Sequence, residues 1–293
     1  MILEPLRPGD WTAALDCALS RVPEEERALR VQHFLTMLGS NLFDPRGIWV
    51  AREGRRILAV QVTVPLAGAA CLFWLPSTIH DPADALIRAA LGWYRAEGCK
   101  IAQALVRPGE EAWAAPLTRQ GFRTITKLHQ LTHDLTNLPA INVDALRLVH
   151  YDRCEERLFA ETLERTYQGT RDCPELNGVR TIDEILAGHR AQGRFESSRW
   201  WLATAHDLPI GVLMLTELLD GATWELAYVG LVPEARGQGL GRTLMLHAMH
   251  TLAHSDAMAL TLAVDTRNTP ARRLYESLGF VEAETSGVLL YLW

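Results

Sequence analysis

Between Arg236 and Arg242 the chain reads RGQGLGR. Two arginines bracket three glycines, with no acid between them, where a strand-like run gives way to a helical one. Gly239 and Gly241 carry no Cβ, so backbone N–H groups can close around a bulky anion. The first N–H groups of a helix have no partner inside it, and that end of the dipole is positive. Together these features make a pyrophosphate cradle, to which Arg236 and Arg242 add charge. A P-loop is excluded, because no Gly-Lys-Ser/Thr follows. A Rossmann loop would need a third glycine and a preceding first strand. Taken alone, the stretch could equally be a glycine-rich turn that binds nothing.

The elements around the loop repeat. In the second half, "ALRLVHY" reads as a strand, "EERLFAETLERTY" and "TIDEILAGHRAQ" as helices, and "RWWLATAH", "LPIGVLMLTELL" and "TWELAYVGLV" as strands. "GLGRTLMLHAMHTLAH" and "TPARRLYESL" are helical, with the strand "AMALTLAVD" between them. The first half follows the same order and includes "RRILAVQVTVPL" as one strand and a helix from Pro82, capped by Asp81 and closed by Gly98. Its first helix is capped near Asp10. Gly121-Phe122 and Gly279-Phe280 each follow the last helix of a half. The pattern predicts an α/β fold of two tandem domains, 1–138 and 144–293, each a central mixed sheet flanked by helices. The polar stretch "DLTNLPAINVDA" is the linker.

Composition narrows the class. The net charge of −6, with no basic tract, argues against a nucleic-acid partner. No apolar run reaches the roughly 18 residues of a membrane span, and the start "MILEPLRPGDW" has no signal-like region. The five cysteines form no CxxC pair, which predicts neither disulfide framework nor metal site, and a cytoplasmic location.

"VGLVPEARGQGLG" and "NTPARRLYESLGF", in that order, resemble the two signatures of the GCN5-related N-acetyltransferases (GNAT). The resemblance covers residues 145–293 and implies acetyl transfer from acetyl-CoA to a primary amine by direct attack. A small acceptor is favoured over a protein. Backbone groups of Val229, Gly230 and Leu231 would then pair with the pantetheine arm, where the family's sheet splays. Arg236, Gly237, Gln238, Gly239, Leu240, Gly241 and Arg242 would wrap the pyrophosphate. Gly230 would suit a strand bulge, Asn268 would bond the arm, and the amide of Val229 would polarise the carbonyl.

An alkyl ammonium has a pKa of about 10.4, so the reaction needs a base. Glu225 is the candidate: strand alternation puts Glu225, Ala227, Val229 and Leu231 on one face. Its neighbours Trp224, Leu226 and Tyr228 would raise its pKa by desolvation. Tyr275 falls on the family's general-acid position and would protonate the leaving thiolate.

The first half lacks these motifs. Asp81 and Asp84 stand where its cradle would be, and imply a copy that binds no cofactor. His247, His250 and His254 share a helix face, which is read as half-exposed surface rather than metal site. Asp172, Glu175 and Asn177, in the polar segment 167–180, are candidates for recognising a cationic or polyhydroxy amine. Cys173 is not expected to be a nucleophile, and Trp200 and Trp201 are read as core or cleft wall. A non-catalytic sensor of acyl-CoA or another ligand, or transfer of a longer acyl group, are the alternatives. No membrane partner is expected, and a homodimer is left open.

Overall fold

A computed structural model of the chain describes residues 1–39, 45–141 and 146–293. Part of the expected linker, 142–145, lies outside the described residues. The described residues form two compact units: Met1–Ile125 with Ser286–Trp293, and Thr126–Thr285.

The first unit opens with β1 (Ile2–Pro5), α1 (Trp11–Ala18), α2 (Glu24–Gly39), β2 (Trp49–Glu53) and β3 (Arg56–Gln61). The three strands form one antiparallel sheet. Then come β4 (Thr63–Leu66), β5 (Ala70–Phe73), α3 (Ala83–Ala96), β6 (Ile101–Val106) and α4 (Glu111–Arg119). β5 pairs antiparallel with β4 and parallel with β6. The run expected as one strand is thus broken at Val62. The buried amide of Gln61 stitches the break, donating to the carbonyls of Val62 at 2.9 Å and Trp74 at 2.8 Å, as buried backbone requires.

Two expected caps differ. α3 begins at Ala83, after Pro82, with no side-chain capping bond from Asp81. Asp10 makes no capping bond to α1; its carboxylate pairs with Arg52 at 2.6 Å instead.

The second unit holds β7 (Arg123–His133, from Thr126 on), β8 (Arg147–His150), α5 (Glu156–Thr166), α6 (Ile182–Arg190), β9 (Trp200–Ala205), β10 (Leu208–Glu217), β11 (Thr223–Leu231), α7 (Leu240–Ala253), β12 (Ala259–Asp265) and α8 (Thr269–Ser277). The last strand, β13 (Val281–Leu292), follows. The sheet runs β7-β12-β11-β10-β9-β8, with β11–β12 its one parallel pair among the described residues. Met245, Met249 and Leu252 of α7 fill one face with Trp201, Leu213 and Leu226. Phe159 and Leu163 of α5 and Leu186 of α6 fill the other with Trp200 and Met214. The adjacent tryptophans are therefore core on opposite faces.

The closing strands lie differently from the expected 1–138 and 144–293 division. β7 pairs along β12, Leu128–His133 against Leu260–Asp265, inside the second unit. Gly287–Leu292 of β13 pair along β6, inside the first. Alternation fixes which face of a strand is buried, not which sheet edge it completes.

Pairing between β10 and β11 slips at Ala227: Met214 opposes Tyr228, and Leu215 opposes Leu226. One extra residue reverses the faces beyond it. Val229 and Leu231 pack toward α7, while Ala227 and Tyr228 pack toward α5 and α6. Glu225, bonded by Gln192 just beyond α6, lies on the latter side. The expected common face of Glu225 and Val229 is thus corrected, because the bulge interrupts the alternation. Gly230 is not the bulge. It pairs regularly with Val212, and a Cβ there would stand 2.7 Å from the Tyr228 hydroxyl and 2.8 Å from Thr166 Cβ.

β11 and β12 pair only from Thr223–Glu225 to Ala259–Thr261, then part. At the far end of β12 the fully buried Asp265 accepts from Thr126 Oγ1 at 2.7 Å, Cys173 N at 3.1 Å, and both the amide and guanidinium of Arg267, at 2.8 and 2.7 Å. Arg267 also grips Glu175 at 2.6 and 3.0 Å. This clamp ties the 167–180 segment to the sheet. Burial would raise the Asp265 pKa, but the bonds from Arg267 and Thr126 outweigh it and hold the carboxyl at about 2.

Two stability predictions follow from these contacts. Gly230→Ala should overpack the Tyr228–Thr166 contact and cost about 1–3 kcal/mol in urea unfolding, with an unchanged m-value. Arg267→Met should cost about 1–3 kcal/mol at neutral pH by leaving Asp265 short of donors. The folded pKa of Asp265 is depressed from its ordinary 3.8. Its contribution is therefore present above about pH 4 and lost as pH falls toward about 2. The stability gap between wild type and Arg267→Met should narrow over that window.

Candidate active site

The RGQGLGR backbone turns twice through the left-handed region, at Gly237 (φ 76°) and Gly239 (φ 81°). The N–H groups of Gly237, Gln238, Gly239, Leu240 and Gly241 donate to no backbone acceptor among the described residues, whereas those of Arg242 and Thr243 are met by the Gly239 carbonyl. Consecutive free N–H groups in such a turn form an anion nest, here at the positive end of α7. A Cβ on Gly237 or Gly239 would meet nothing within 4 Å. Glycine is needed at these two positions for φ, not for room inside the protein.

The arginines are used differently from expectation. The Arg236 guanidinium donates to the carbonyls of Leu231 at 3.0 Å, Thr166 at 2.9 Å and Gly169 at 3.3 Å. It neutralises the negative end of α5 and closes the tip of β11. Arg242 bonds Ser277 Oγ at 2.8 Å, and the Gln238 amide donates to Glu234 O at 2.9 Å. The cradle is thus chiefly backbone.

Val229, Gly230 and Leu231 lie on the stretch of β11 that β12 leaves unpaired. Glu225 sits where the pairing ends, opposite Thr261, with Gln192 Nε2 at 3.4 Å from its carboxylate. Burial pushes its pKa up, in the expected direction, and the Gln192 bond partly offsets this. Tyr275 is buried in the α7 core, its ring 5.8 Å from Phe280. Burial, then the charges of Asp172 and Tyr228, push its phenol up. No hydrogen bond joins Tyr275 to Glu225 among the described residues. Asn268 caps α8 through Oδ1, which accepts from Ala271 N at 3.4 Å, and its Nδ2 has no partner among the described residues.

Beneath the 167–180 segment lies a cavity of about 450 Å³, lined by Tyr167, Asp172, Asn177, Arg180, His189 and Tyr228 among others. Asp172 accepts from Asp265 N at 3.2 Å. Crowding by the cavity wall, and then the Asp265 charge, push its carboxyl up to about 6 against that backbone bond. Burial holds His189 near 4, so it is neutral at pH 7. The Tyr228 hydroxyl is 2.8 Å from Thr166 Oγ1, and burial pushes its phenol to about 12. Glu175, expected to face an acceptor, is held by Arg267. Tyr228 and His189 went unrecognised as lining residues in the sequence. Tyr228 turns inward only through the bulge, and His189 looks like any other helix-end histidine.

The three histidines of α7 range from half-buried to exposed. His247 is half-buried against Trp201 at 5.1 Å, with a pKa lowered to about 4 by desolvation. His250 bonds Pro139 O at 2.8 Å, and His254 bonds His250 O at 2.6 Å. Among the described residues, Asp172, Cys173 and Asp265 group their ligand atoms within 4.8 Å, but Asp265 is already committed to Arg267 and Thr126. Burial raises the Cys173 thiol to about 12, which disfavours its thiolate.

Residues 158–280 match the acetyltransferase (GNAT) family model. Mycothiol acetyltransferase of Mycobacterium sp. (strain JLS) is 30% identical over 216 residues, 67% of this chain and 65% of that protein. The enzyme of the same name from Mycobacteroides abscessus is 31% identical over 57% of each chain. The chain thus matches little more than half of these relatives' lengths. Among solved structures, a GCN5-related N-acetyltransferase from Sphaerobacter thermophilus superposes with a TM-score of 0.61 at 15% identity, covering 99% of this chain and 95% of that one. A tandem GNAT protein from the clavulanic acid biosynthesis pathway gives 0.58 at 17% identity, covering 99% and 98%. With its anion nest, its parted parallel strands and this match, the chain belongs to the GNAT superfamily of acetyltransferases.

Proposed function

We propose that the protein transfers an acetyl group from acetyl-CoA to the primary amine of a small molecule, within its second unit. The observation that carries this reading is the row of uncommitted N–H groups from Gly237 to Gly241, beside the strip of β11 that β12 leaves open. The nest takes the pyrophosphate, with Arg242 at its edge and Arg236 bracing the loop. The unpaired backbone of Val229, Gly230 and Leu231 takes the pantetheine arm, and Asn268 Nδ2 donates to it. The relatives' name supports a small acceptor.

In the reaction, Glu225 accepts a proton from the ammonium, directly or through a water. The amine nitrogen then attacks the thioester carbonyl carbon, whose oxygen is held by the Val229 N–H. The new C–N bond forms as the C–S bond breaks, and the leaving thiolate takes the Tyr275 proton. No metal enters these steps. The first unit is a cofactor-free copy of the same domain plan. Its helix α3 begins without a left-handed glycine pair, and Asp84 there is paired with Arg119 at 2.9 Å. No helix among the described residues is long and apolar enough to cross a membrane, which is compatible with the cytoplasmic site of action we propose.

Calorimetric titration with acetyl-CoA should give one site per chain, and Gly239→Asp should abolish it at a stability cost of only about 1–2 kcal/mol, that of a side chain at positive φ. Two sites would overturn the reading of the first unit. Glu225→Gln and Tyr275→Phe should each lower kcat by about 10²–10⁴-fold in a thiol-release assay while acetyl-CoA affinity stays within a few-fold. A rate within twofold of wild type would remove that residue from the chemistry.

A further inference from the structure

We infer that Gln192 is the positioning residue of the candidate base. Its side-chain amide, delivered by a glycine that docks on β10, holds one Glu225 carboxylate oxygen and leaves the other for the ammonium. This inference rests on the acetyl-transfer reading above, in which Glu225 takes the proton of the amine.

Gln192 lies just beyond α6, in a segment that folds back onto the sheet. Its N–H donates to His189 O at 3.3 Å, and that of Gly193 to Ala191 O at 3.1 Å. Arg194 N then donates to Glu217 O at 2.8 Å, and Thr216 Oγ1 donates to Arg194 O at 3.3 Å. The Arg194 guanidinium adds a bond to the Glu217 carboxylate at 3.1 Å. Gly193 is the point of close approach. Its φ is 87°, and a Cβ there would stand 2.5 Å from Glu217 O and 3.1 Å from Thr216 Oγ1. A side chain at that position would lift the segment off β10. Thr216 is the residue that opposes Glu225 across the β10–β11 ladder. Docking at Thr216 and Glu217 therefore sets the preceding side chain, Gln192, beside Glu225.

Gln192 Nε2 donates to Glu225 Oε2 at 3.4 Å, and Glu225 Oε1 has no partner among the described residues. The bond is long, as catalytic hydrogen bonds commonly are before substrate tightens a site. His189 interacts with the same amide in the sense that favours the protonated ring, as an accepting carbonyl oxygen does. An amide whose oxygen takes an imidazole N–H has only its NH2 left for a carboxylate. Burial still keeps His189 neutral at pH 7, so the partner of Glu225 is a dipole and not a cation. That difference suits a base. A paired cation would depress the proton affinity of the carboxylate strongly. Here burial raises it, and the amide offsets only part of the rise. The charged groups on the neighbouring elements are engaged elsewhere: Arg194 and Glu217 with each other at 3.1 Å, and Arg199 over the Trp224 ring at 5.4 Å. From β12, the residue opposite Glu225 is the uncharged Thr261.

The test is a carbon-13 NMR titration of the full chain labelled at its glutamate carboxyls, with the Glu225 signal assigned by its loss in Glu225→Gln. Gln192→Met keeps the length and packing of the side chain but removes the donor to the ionised form. The Glu225 midpoint should therefore move up, by at least about half a pH unit. Gln192→Glu puts a like charge in the same place and should move it further up. A smaller shift in Gln192→Met, or a downward shift in either variant, overturns the proposal. In the thiol-release assay with glucosamine as the amine, the acid limb of kcat/KM should move up with the midpoint in Gln192→Met, while acetyl-CoA affinity stays within about twofold. A uniform fall at every pH, with the limb unmoved, would make Gln192 a packing residue only. If glucosamine is not turned over, the NMR midpoint decides alone. Failure of the base reading is distinct: Glu225→Gln would then turn over within about twofold of wild type while the midpoint still responds to Gln192→Met.

Discussion

Everything in the second unit is arranged around a parallel strand pair that starts and then stops. β11 and β12 share a ladder for three residues each and separate after Glu225 and Thr261. A separation inside a sheet leaves a strip of peptide groups without ladder partners, a cost that native proteins rarely leave uncompensated. Here each strand is fixed on its other edge: β11 runs along β10, and β12 is paired to its end by β7. The side chains of Leu226 and Val229 are anchored in the α7 core, so β11 cannot drift back toward β12. The last carbonyl of β11, on Leu231, is met by Arg236. The opening is thus held by packing on both sides. An extended ligand with amide groups of its own is the natural complement to such an edge.

The second fixed point is a buried charge. Asp265 ends β12 with its carboxylate wholly enclosed, and so needs several donors. Those donors come from β7, from the turn after β12 and from the 167–180 segment. One carboxylate therefore sets the position of the cavity roof relative to the sheet. It also has an electrostatic consequence, because Asp172 is held beside it through Asp265 N and feels its charge.

How much of this is legible from residues alone depends on the range of the interaction. The nest is local, and RGQGLGR announces it: two left-handed turns need glycines, and a helix start supplies the N–H groups. Gly121 and Gly279 are equally local, each at positive φ before a buried phenylalanine, Phe122 and Phe280. The cap expected at Asp81 failed because its helix starts two residues on, after Pro82. The common face of Glu225 and Val229 failed because a bulge at Ala227 has no signature in the strand's composition. Arg236 looked like a ligand for phosphate, yet the carbonyls of Thr166 and Gly169, distant in sequence, claim it together with that of Leu231. The Asp265–Arg267–Glu175 clamp was invisible for the same reason. Its first two members are neighbours in a turn, and nothing local says that the third lies beside them. Neither closing strand declares in its own sequence which sheet edge it completes.

On the proposed reading, two copies of one plan differ in function through very few groups, since a fold supplies a scaffold and not a chemistry. Both have a helix entering after a strand and a Gly-Phe turn after the last helix. In the second unit that helix begins with glycines at positive φ and no acid in its first turn. In the first, Asp84 occupies the first turn and is already neutralised by Arg119. An anion arriving there would have to displace an ion pair and would find no left-handed turn to present N–H groups. Restoring the glycines alone would leave Asp84 in place, and removing Asp84 alone would leave the backbone closed. On that reading, anion binding in the first unit would need both changes together, a left-handed turn and the removal of Asp84.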